Sequence, residues 1–531
     1  MTDTWIFKEK QFSKTSPTHV AFCRAFSLLD KIKELKAEKK TSEEGPEQLL
    51  NAMKTISEGC IRKVDRLNTE LLKTEISQLE RKNIENTIRA IILSVNKLHT
   101  FLRYIDATRL RRNPTGMIKP WELLIKKYNK DVNIIIRPQW KYNYSYYNII
   151  KEFENINDII GDNKSIEDLS KIGSYFPILS FAGLERDNVL LHIILAHEIG
   201  HLIDEMEQFS LIDKYSDEII RVLDTTEVSE KLKKLYDLSV NIMKTSEDKS
   251  KQSVPEVSYN LFIEHEAKSQ AQKELVDKIC TWLEEITADI IAIRIIGPSF
   301  IFALFQTDLA HVSKKGPVGD YPPPQIRMDK CIEYWDAVDK NDKFFDYKET
   351  EEINHQKIKK CISEYLNNIK QEEPDASPKS STISELKKER YNLLNEILKV
   401  VVKGPLDSIK DSIQGKIPLF KLDNRIFKLI ELLKNRITPV YTNHDEEPPA
   451  SSECDIASIL NAGWIFWLTH ERRLAKEEDS TNEVELLEKL RFKYYEPLVE
   501  ISNLVLKGIE STDFNTQFSE GEESQRAFHK N

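Results

Sequence analysis

A mainly α-helical protein with one small β-sheet, an α+β class, is what this sequence predicts, and three observations carry that reading. Gly (15) and Pro (20) are scarce in 531 residues, so long unbroken helices are permitted almost everywhere. Apolar residues recur at intervals of three and four over long stretches, which is the helical period. Dense runs of β-branched and aromatic residues are confined to two short segments between positions 132 and 181.

Bulk properties set the class of protein. Hydrophobic residues make up 40% and charged residues 31%, enough to bury several cores and too apolar for a wholly disordered chain. The net charge of -10 is spread over 77 basic and 87 acidic residues. No field of one sign dominates, so no nucleic-acid partner is expected, and the cluster Arg109, Arg111, Arg112 reads as a solvated helix end. Six cysteines lie far apart without a C-x-x-C pair, which suits a reducing compartment and predicts a cytoplasmic protein. The N-terminus carries Asp3, Lys8, Glu9 and Lys10 in place of the apolar core of a secretory signal. Ile286 to Phe305 approaches the roughly 20 residues of a membrane span. Asp289, Arg294 and the Gly297-Pro298 break make it two buried helices instead.

Along the chain, residues 1–118 read as an N-terminal helical region, with a long helix or helical hairpin from Cys60 to Leu110. After Asn113-Pro114-Thr115-Gly116, Val132 to Arg137 and Trp140 to Tyr147 open a small sheet. Tyr175 to Phe181 is a further extended piece, read as an edge strand able to pair with substrate backbone or as a strand that closes the sheet. A helix with Asp187 as N-cap is expected to run through Val189 to Ile203, apolar nearly all round and therefore buried. Residues 204–274 form a polar helical insertion with a loop at Thr245 to Val254, and a separate helix covers Leu275 to Ile296. A Pro-rich turn at Gly316 to Pro324 precedes a helix from Gln325 to about Asp336, completing a core over residues 119–370. Gln371 to Ser381 has linker composition, placing a boundary at 371–384 before a C-terminal helical domain, 385–510, and a disordered tail, 511–531.

The chemistry is concentrated in His-Glu-Ile-Gly-His at 197 to 201. Residues four apart share a helix face, so His197 and His201 can present imidazoles to one ion, while Glu198 is turned by about 100° and sits beside them. Burying two imidazoles and a carboxylate on an apolar helix is unfavourable unless each is paired, and one divalent cation satisfies all three. The other His-Glu pairs, at His265 and His470, have Ser269 and Leu474 where the second histidine should stand. His192, five residues before His197, falls on a different face and reads as packing; Trp282, Trp464 and Trp467 read as core aromatics.

Catalytic zinc takes three protein ligands and leaves a fourth position for water. Glu285 in Trp-Leu-Glu-Glu-Ile-Thr-Ala-Asp-Ile-Ile is the best candidate for the third, a charge on an otherwise apolar helix; Glu284 is its rival, with a solvent-facing alternative. Asp289, one turn later on the same face, is placed to accept the free imidazole N–H of a ligand histidine.

H-E-x-x-H followed on a later helix by E-x-x-A-D resembles the gluzincin metallopeptidases, with His197, Glu198 and His201 matching the first motif and Glu285, Ala288 and Asp289 the second. The resemblance implies a zincin-like core, one Zn²⁺ held by His197, His201 and Glu285, and Asp289 supporting a ligand histidine. Tyr321-Pro-Pro-Pro-Gln-Ile-Arg327 is similar to the His-Pro-Pro segment with a later Arg found in minigluzincins, with Tyr in place of His. The similarity spans about Phe176 to Arg327, and the long interval between His201 and Glu285 implies an insertion that walls or covers a cleft.

The activity expected is zinc-dependent peptide-bond hydrolysis by an intracellular regulatory endopeptidase, with Glu198 as general base on the water held by zinc. Tyr321, Arg327 and His311 are the candidates for a second donor to the oxyanion; a loop aromatic, a salt-bridge partner and a helix-end charge are their plainer roles. The partners expected are a protein or peptide substrate and a regulatory protein. Two other classes stay open: a zinc-containing helical binding or signalling module without protease activity, and a non-peptide amidohydrolase.

Overall fold

The computed structural model describes residues 16–37, 44–73, 76–107, 118–130, 132–141, 143–161, 175–185, 188–246, 256–312, 321–342, 382–420, 425–439, 453–469 and 498–511. Helices dominate, with one small sheet of three strands. The chain divides into two compact units, Met1–Arg186 and Asp187–Asn531.

The first unit packs α1 (Pro17–Ala37), α2 (Glu44–Leu71) and α3 (Gln78–Ala107) on one another, followed by α4 (Lys119–Tyr128) and α5 (Ile149–Ile160). The expected hairpin is present, broken by the residues between α2 and α3. Its core is a continuous apolar cluster that includes Leu28, Leu49, Ile56, Ile91, Leu98, Phe153 and Ile178. The strands β1 (Ile135–Gln139), β2 (Ser145–Asn148) and β3 (Pro177–Ala182) form a sheet in the order β1-β3-β2.

Of the two readings of residues 176–181, an edge strand or a strand that closes the sheet, the edge strand is corrected here. β3 is central, parallel to β1 (Ile135 opposite Ile178) and antiparallel to β2 (Asn148 opposite Pro177). All six of its residues are buried, as expected for a strand covered on both faces, which reads as an apolar run without alternation. Asn148 secures the junction: its Oδ1 accepts from the Ile150 N–H at the start of α5 and from Phe176 N–H just before β3.

In the second unit the expected helix from Val189 begins later. Leu191–Ile194 is a 3₁₀ turn, and α6 proper runs Leu195–Glu207, its N-cap Ile194 making no side-chain cap. Asp187, the N-cap read from sequence, lies outside the described residues. α7 (Ser216–Leu223) and α8 (Thr226–Ser246) follow, and then α9 (Glu256–Ile296), a single helix of 41 residues where sequence placed a boundary at Leu275. Nothing between 256 and 296 breaks it, since that span contains neither Gly nor Pro. After the Gly297-Pro298 corner come α10 (Ser299–Val312) and α11 (Pro324–Asp342). No helix among the described residues is long and apolar enough to cross a membrane.

Most of the boundary read at 371–384 lies outside the described residues. Residues 343–381 are outside the described set, but α12 (Thr382–Val401), α13 (Lys403–Lys416), α14 (Arg425–Lys434), α15 (Glu453–Thr469) and the helix 498–511 belong to the same compact unit as α6 and α9. Arg390 on α12 donates to Ser239 on α8 and to Glu274 on α9. Arg294 near the end of α9, buried, donates to the carbonyls of Ile417 and Gln414 and, at 3.0 Å, to Tyr334 Oη. A guanidinium thereby satisfies orphan carbonyls at the C-terminus of α13 and meets the negative end of its dipole. The 511–531 tail falls outside the described residues beyond Ser511.

Cys23, Cys60, Cys280 and Cys331 are free thiols, the first exposed and Cys60 buried. Burial pushes the Cys60 thiol up to about 12, so at pH 8 only about one molecule in ten thousand carries the thiolate there. Iodoacetamide at pH 8 is expected to label Cys23 in the native protein within minutes and Cys60 only after denaturation, as peptide mass mapping will read. Because the raised pKa favours the neutral thiol in the fold, this burial contributes stability below about pH 9 that declines as pH rises toward 12.

Candidate metal centre

Three helices of the second unit build the site. α6 contributes the His-Glu-Ile-Gly-His turn, α9 contributes Glu285 and Asp289, and α11 contributes Arg327. α6 and α9 approach so closely that a Cβ added at Gly200 would lie 2.5 Å from the Ala288 carbonyl oxygen and 2.8 Å from its Cα. Only glycine fits at that crossing, and a small residue is needed opposite it. Gly200 sits between the two histidines and Ala288 between the two acids, so the contact itself aligns the donors of one helix with those of the other.

The donor atoms converge. His197 Nε2 lies 3.1 Å from His201 Nε2 and 3.3 Å from Glu285 Oε2, and His201 Nε2 lies 3.5 Å from Glu285 Oε1. Zinc bonded at about 2.0–2.1 Å in a tetrahedron requires its ligand atoms to be about 3.3–3.4 Å apart. The spacing therefore fits one small cation, and among the described residues this is the one group of three such donors. Glu284, the rival third ligand, is exposed.

Behind the donors the ligand ring is fixed from several sides. His197 Nδ1 donates to Asp289 Oδ1 at 2.8 Å, which leaves Nε2 as the nitrogen free for a cation. Phe300 lies parallel to the His197 ring, 8° between planes and 6.5 Å between centroids, and the His201 ring meets it edge-on at 4.5 Å. Asp289, 0% exposed, accepts a two-pronged bond from Arg327, whose Nε and Nη2 lie 2.9 Å and 2.7 Å from its oxygens. Arg327 Nη1 also stands 3.5 Å from Glu285 Oε2.

Charge is concentrated in the cluster. Glu198, Glu285 and Asp289 are all buried, and Arg327 is the guanidinium set against them. With neutral imidazoles and all three carboxyls ionised the cluster would carry two net negative charges, a balance that suits a divalent cation. Burial works against charging His197, but the Asp289 carboxylate and the hydrogen bonds to Asp289 and Glu285 outweigh it and hold its pKa up to about 10. Burial also opposes ionisation of Glu285 and Asp289, yet their partners prevail and both carboxyls are held below the usual range, by the two histidines at Glu285 and by Arg327 and His197 at Asp289. Glu198 goes the other way, its carboxyl raised by burial despite both imidazoles.

Of the residues singled out from sequence, His197, Glu198, His201, Glu285, Asp289 and Arg327 are gathered here. Tyr321 lies just ahead of α11 and is 60% exposed. The side chain of His311 is outside the described residues. Buried His192 lies in the 3₁₀ turn before α6. Sequence reasoning missed Gly200 and Phe300. Gly200 had a readable signal, a helical glycine inside the motif; Phe300 had none, because nothing local says that the residue after a Gly-Pro corner will face a histidine from another helix. No protein-family model, curated protein or solved structure matches this chain.

Two substitutions probe this geometry. Gly200→Ala is expected to destabilise the unit by about 1–3 kcal/mol, because the clash is with backbone, and to weaken metal uptake; urea unfolding with and without zinc measures both. Arg327→Met leaves Asp289 buried without its fork and is expected to lower stability by about 3–5 kcal/mol, with Arg327→Lys recovering part of it, as thermal unfolding will show.

Proposed function

We propose that this chain is a zinc-dependent peptidase of gluzincin type, with His197, His201 and Glu285 holding the ion. The observation that carries the reading is the convergence of three donor atoms at tetrahedral spacing beside a buried, unligated carboxylate, Glu198. A purely structural metal site has no need of an acid beside its three donors, and burying one is unfavourable. When bound, zinc supplies a Lewis acid and brings the pKa of a coordinated water toward about 7.

The chain's own residues then have distinct tasks. Glu198 takes the proton of the attacking water and returns it to the leaving amine, and burial, which raises its carboxyl pKa, favours its holding that proton in between. Asp289 fixes the His197 tautomer, and Arg327 holds Asp289 in place while offsetting its charge. With Arg327 engaged there, Tyr321 is the candidate second donor to the oxyanion. A peptide or protein is the substrate class, and the four cysteines that are unpaired with one another among the described residues agree with work in a reducing compartment such as the cytoplasm.

Purified protein is expected to carry one zinc per chain and to cleave a peptide library. Glu198→Gln should keep the zinc and lose cleavage by about 10²- to 10⁴-fold. Zinc-loaded protein whose cleavage is unchanged by that substitution defeats the catalytic assignment, and zinc-loaded protein that cleaves nothing favours the binding-module class.

A further inference from the structure

We infer that α15 is a brace for the metal centre: Asn461 and Trp464 hold the two backbone segments that deliver His197 and the ring stacked on it. This rests on the zinc reading above. The two residues are three apart on one helix and therefore share a face.

Asn461 is fully buried and uses both ends of its amide. Its Oδ1 accepts from Ser299 N–H at 3.1 Å, and its Nδ2 donates to the Ile296 carbonyl at 2.6 Å and to Ala457 in its own helix at 2.8 Å. Ile296 ends α9 and Ser299 begins α10, so one side chain satisfies a carbonyl and an N–H that helix ends otherwise leave open. The corner between them is tight. Gly297 has φ +89°, and a Cβ there would lie 2.8 Å from the Phe420 ring and 3.3 Å from Asn461 Nδ2. Phe300, the next residue into α10, is the ring parallel to His197.

Trp464 secures the other segment. Its Nε1 donates to the Leu190 carbonyl at 3.0 Å, and Leu190 leads through the 3₁₀ turn into α6, where His197 is the third residue. The contact is close-fitting: a Cβ at Gly463 would meet Leu190 Cδ2 at 2.8 Å and Val505 Cγ2 at 2.7 Å. The Trp464 ring also rests on Phe302 of α10, 6.0 Å between centroids. A single helix face thus fixes the approach to α6 and the start of α10. His197 lies where those two meet, its ring torsion set by Asp289 at Nδ1 and by Phe300 on its face.

Asn461 and Trp464 touch neither the donor atoms nor a substrate; they are positioning residues. Removing their hydrogen bonds leaves the α6–α9 crossing at Gly200 and Ala288 in place, so the donors still meet, but with the His197 ring less firmly directed. Loss of preorganisation then appears as weaker metal binding in a protein that is still folded.

The test compares the full chain with Trp464→Phe, Asn461→Leu and, as a control, Ile263→Ala. Ile263 is buried in a separate cluster with Val240 and Ala267, about 33 Å from Glu285 along α9. Zinc affinity is measured by competition with a chromophoric chelator, the visible absorption of the cobalt-substituted protein reports ligand geometry, and melting temperature reports fold. The brace variants should bind zinc three- to tenfold more weakly with a weakened, shifted cobalt band, while Ile263→Ala lowers the melting temperature and leaves affinity and spectrum unchanged. If Asn461→Leu does not fold, Trp464→Phe decides alone, since it deletes the hydrogen bond and keeps a smaller aromatic ring at the site, with Ile263→Ala controlling for the loss of buried volume. Brace variants that melt earlier but keep wild-type affinity and cobalt spectrum overturn the inference and leave the zinc reading standing. A wild-type chain that takes up no zinc overturns both.

Discussion

Everything at the candidate site depends on how closely two helices can cross. Gly200 lets α6 settle against the backbone of α9 at Ala288, and an added methyl group would have to occupy space already held by a carbonyl oxygen. Packed side chains normally keep helix axes about 8–10 Å apart. Here a missing side chain shortens that distance, and imidazoles from one helix then reach the carboxylates of the other. The donors are not carried on flexible loops. They are fixed by a contact that tolerates almost no error, which is the condition for a preorganised ion site.

That crossing creates an electrostatic problem that the rest of the second unit answers. Three carboxylates and the His197 imidazole are removed from water in one small volume, with His201 half-buried beside them, and the low dielectric there makes every unpaired charge unfavourable. Arg327 neutralises one carboxylate from behind, by the planar two-pronged contact that lysine cannot reproduce. The divalent ion proposed above would balance the other two. The opposed directions at Glu198 and Glu285 follow from position alone: Glu285 has two imidazoles within reach of its oxygens, while at Glu198 burial prevails.

Helices beyond the linker-like segment are part of the same construction. The polar composition of residues 371–381 reads as a linker, and composition reports only that a segment is hydrophilic. What the following helices pack against is set by their apolar faces, and those faces cover α8, α9 and α10. Arg294, Asn461 and Trp464 show how firmly they are joined: each is a buried polar group whose partner lies more than a hundred residues away.

The sequence by itself determined the helical class, the presence and rough place of a small sheet, and the two histidines with a neighbouring acid, because each is a local pattern. Helical period, β-branched runs and four-residue spacing need no knowledge of what is distant. Glu285 and Asp289 were also legible, since a charge on an apolar helix demands a partner, and the register of a helix says which charges share a face. Tertiary structure decided what local pattern cannot encode. It placed β3 at the centre of the sheet, since a buried run reads alike whether it pairs on one side or two. It merged α9 across an expected boundary, and it turned Arg327 onto Asp289. It also enlisted Phe300, Asn461 and Trp464 around His197, through contacts whose free energy depends on distances between segments and not on any residue's neighbours in the chain.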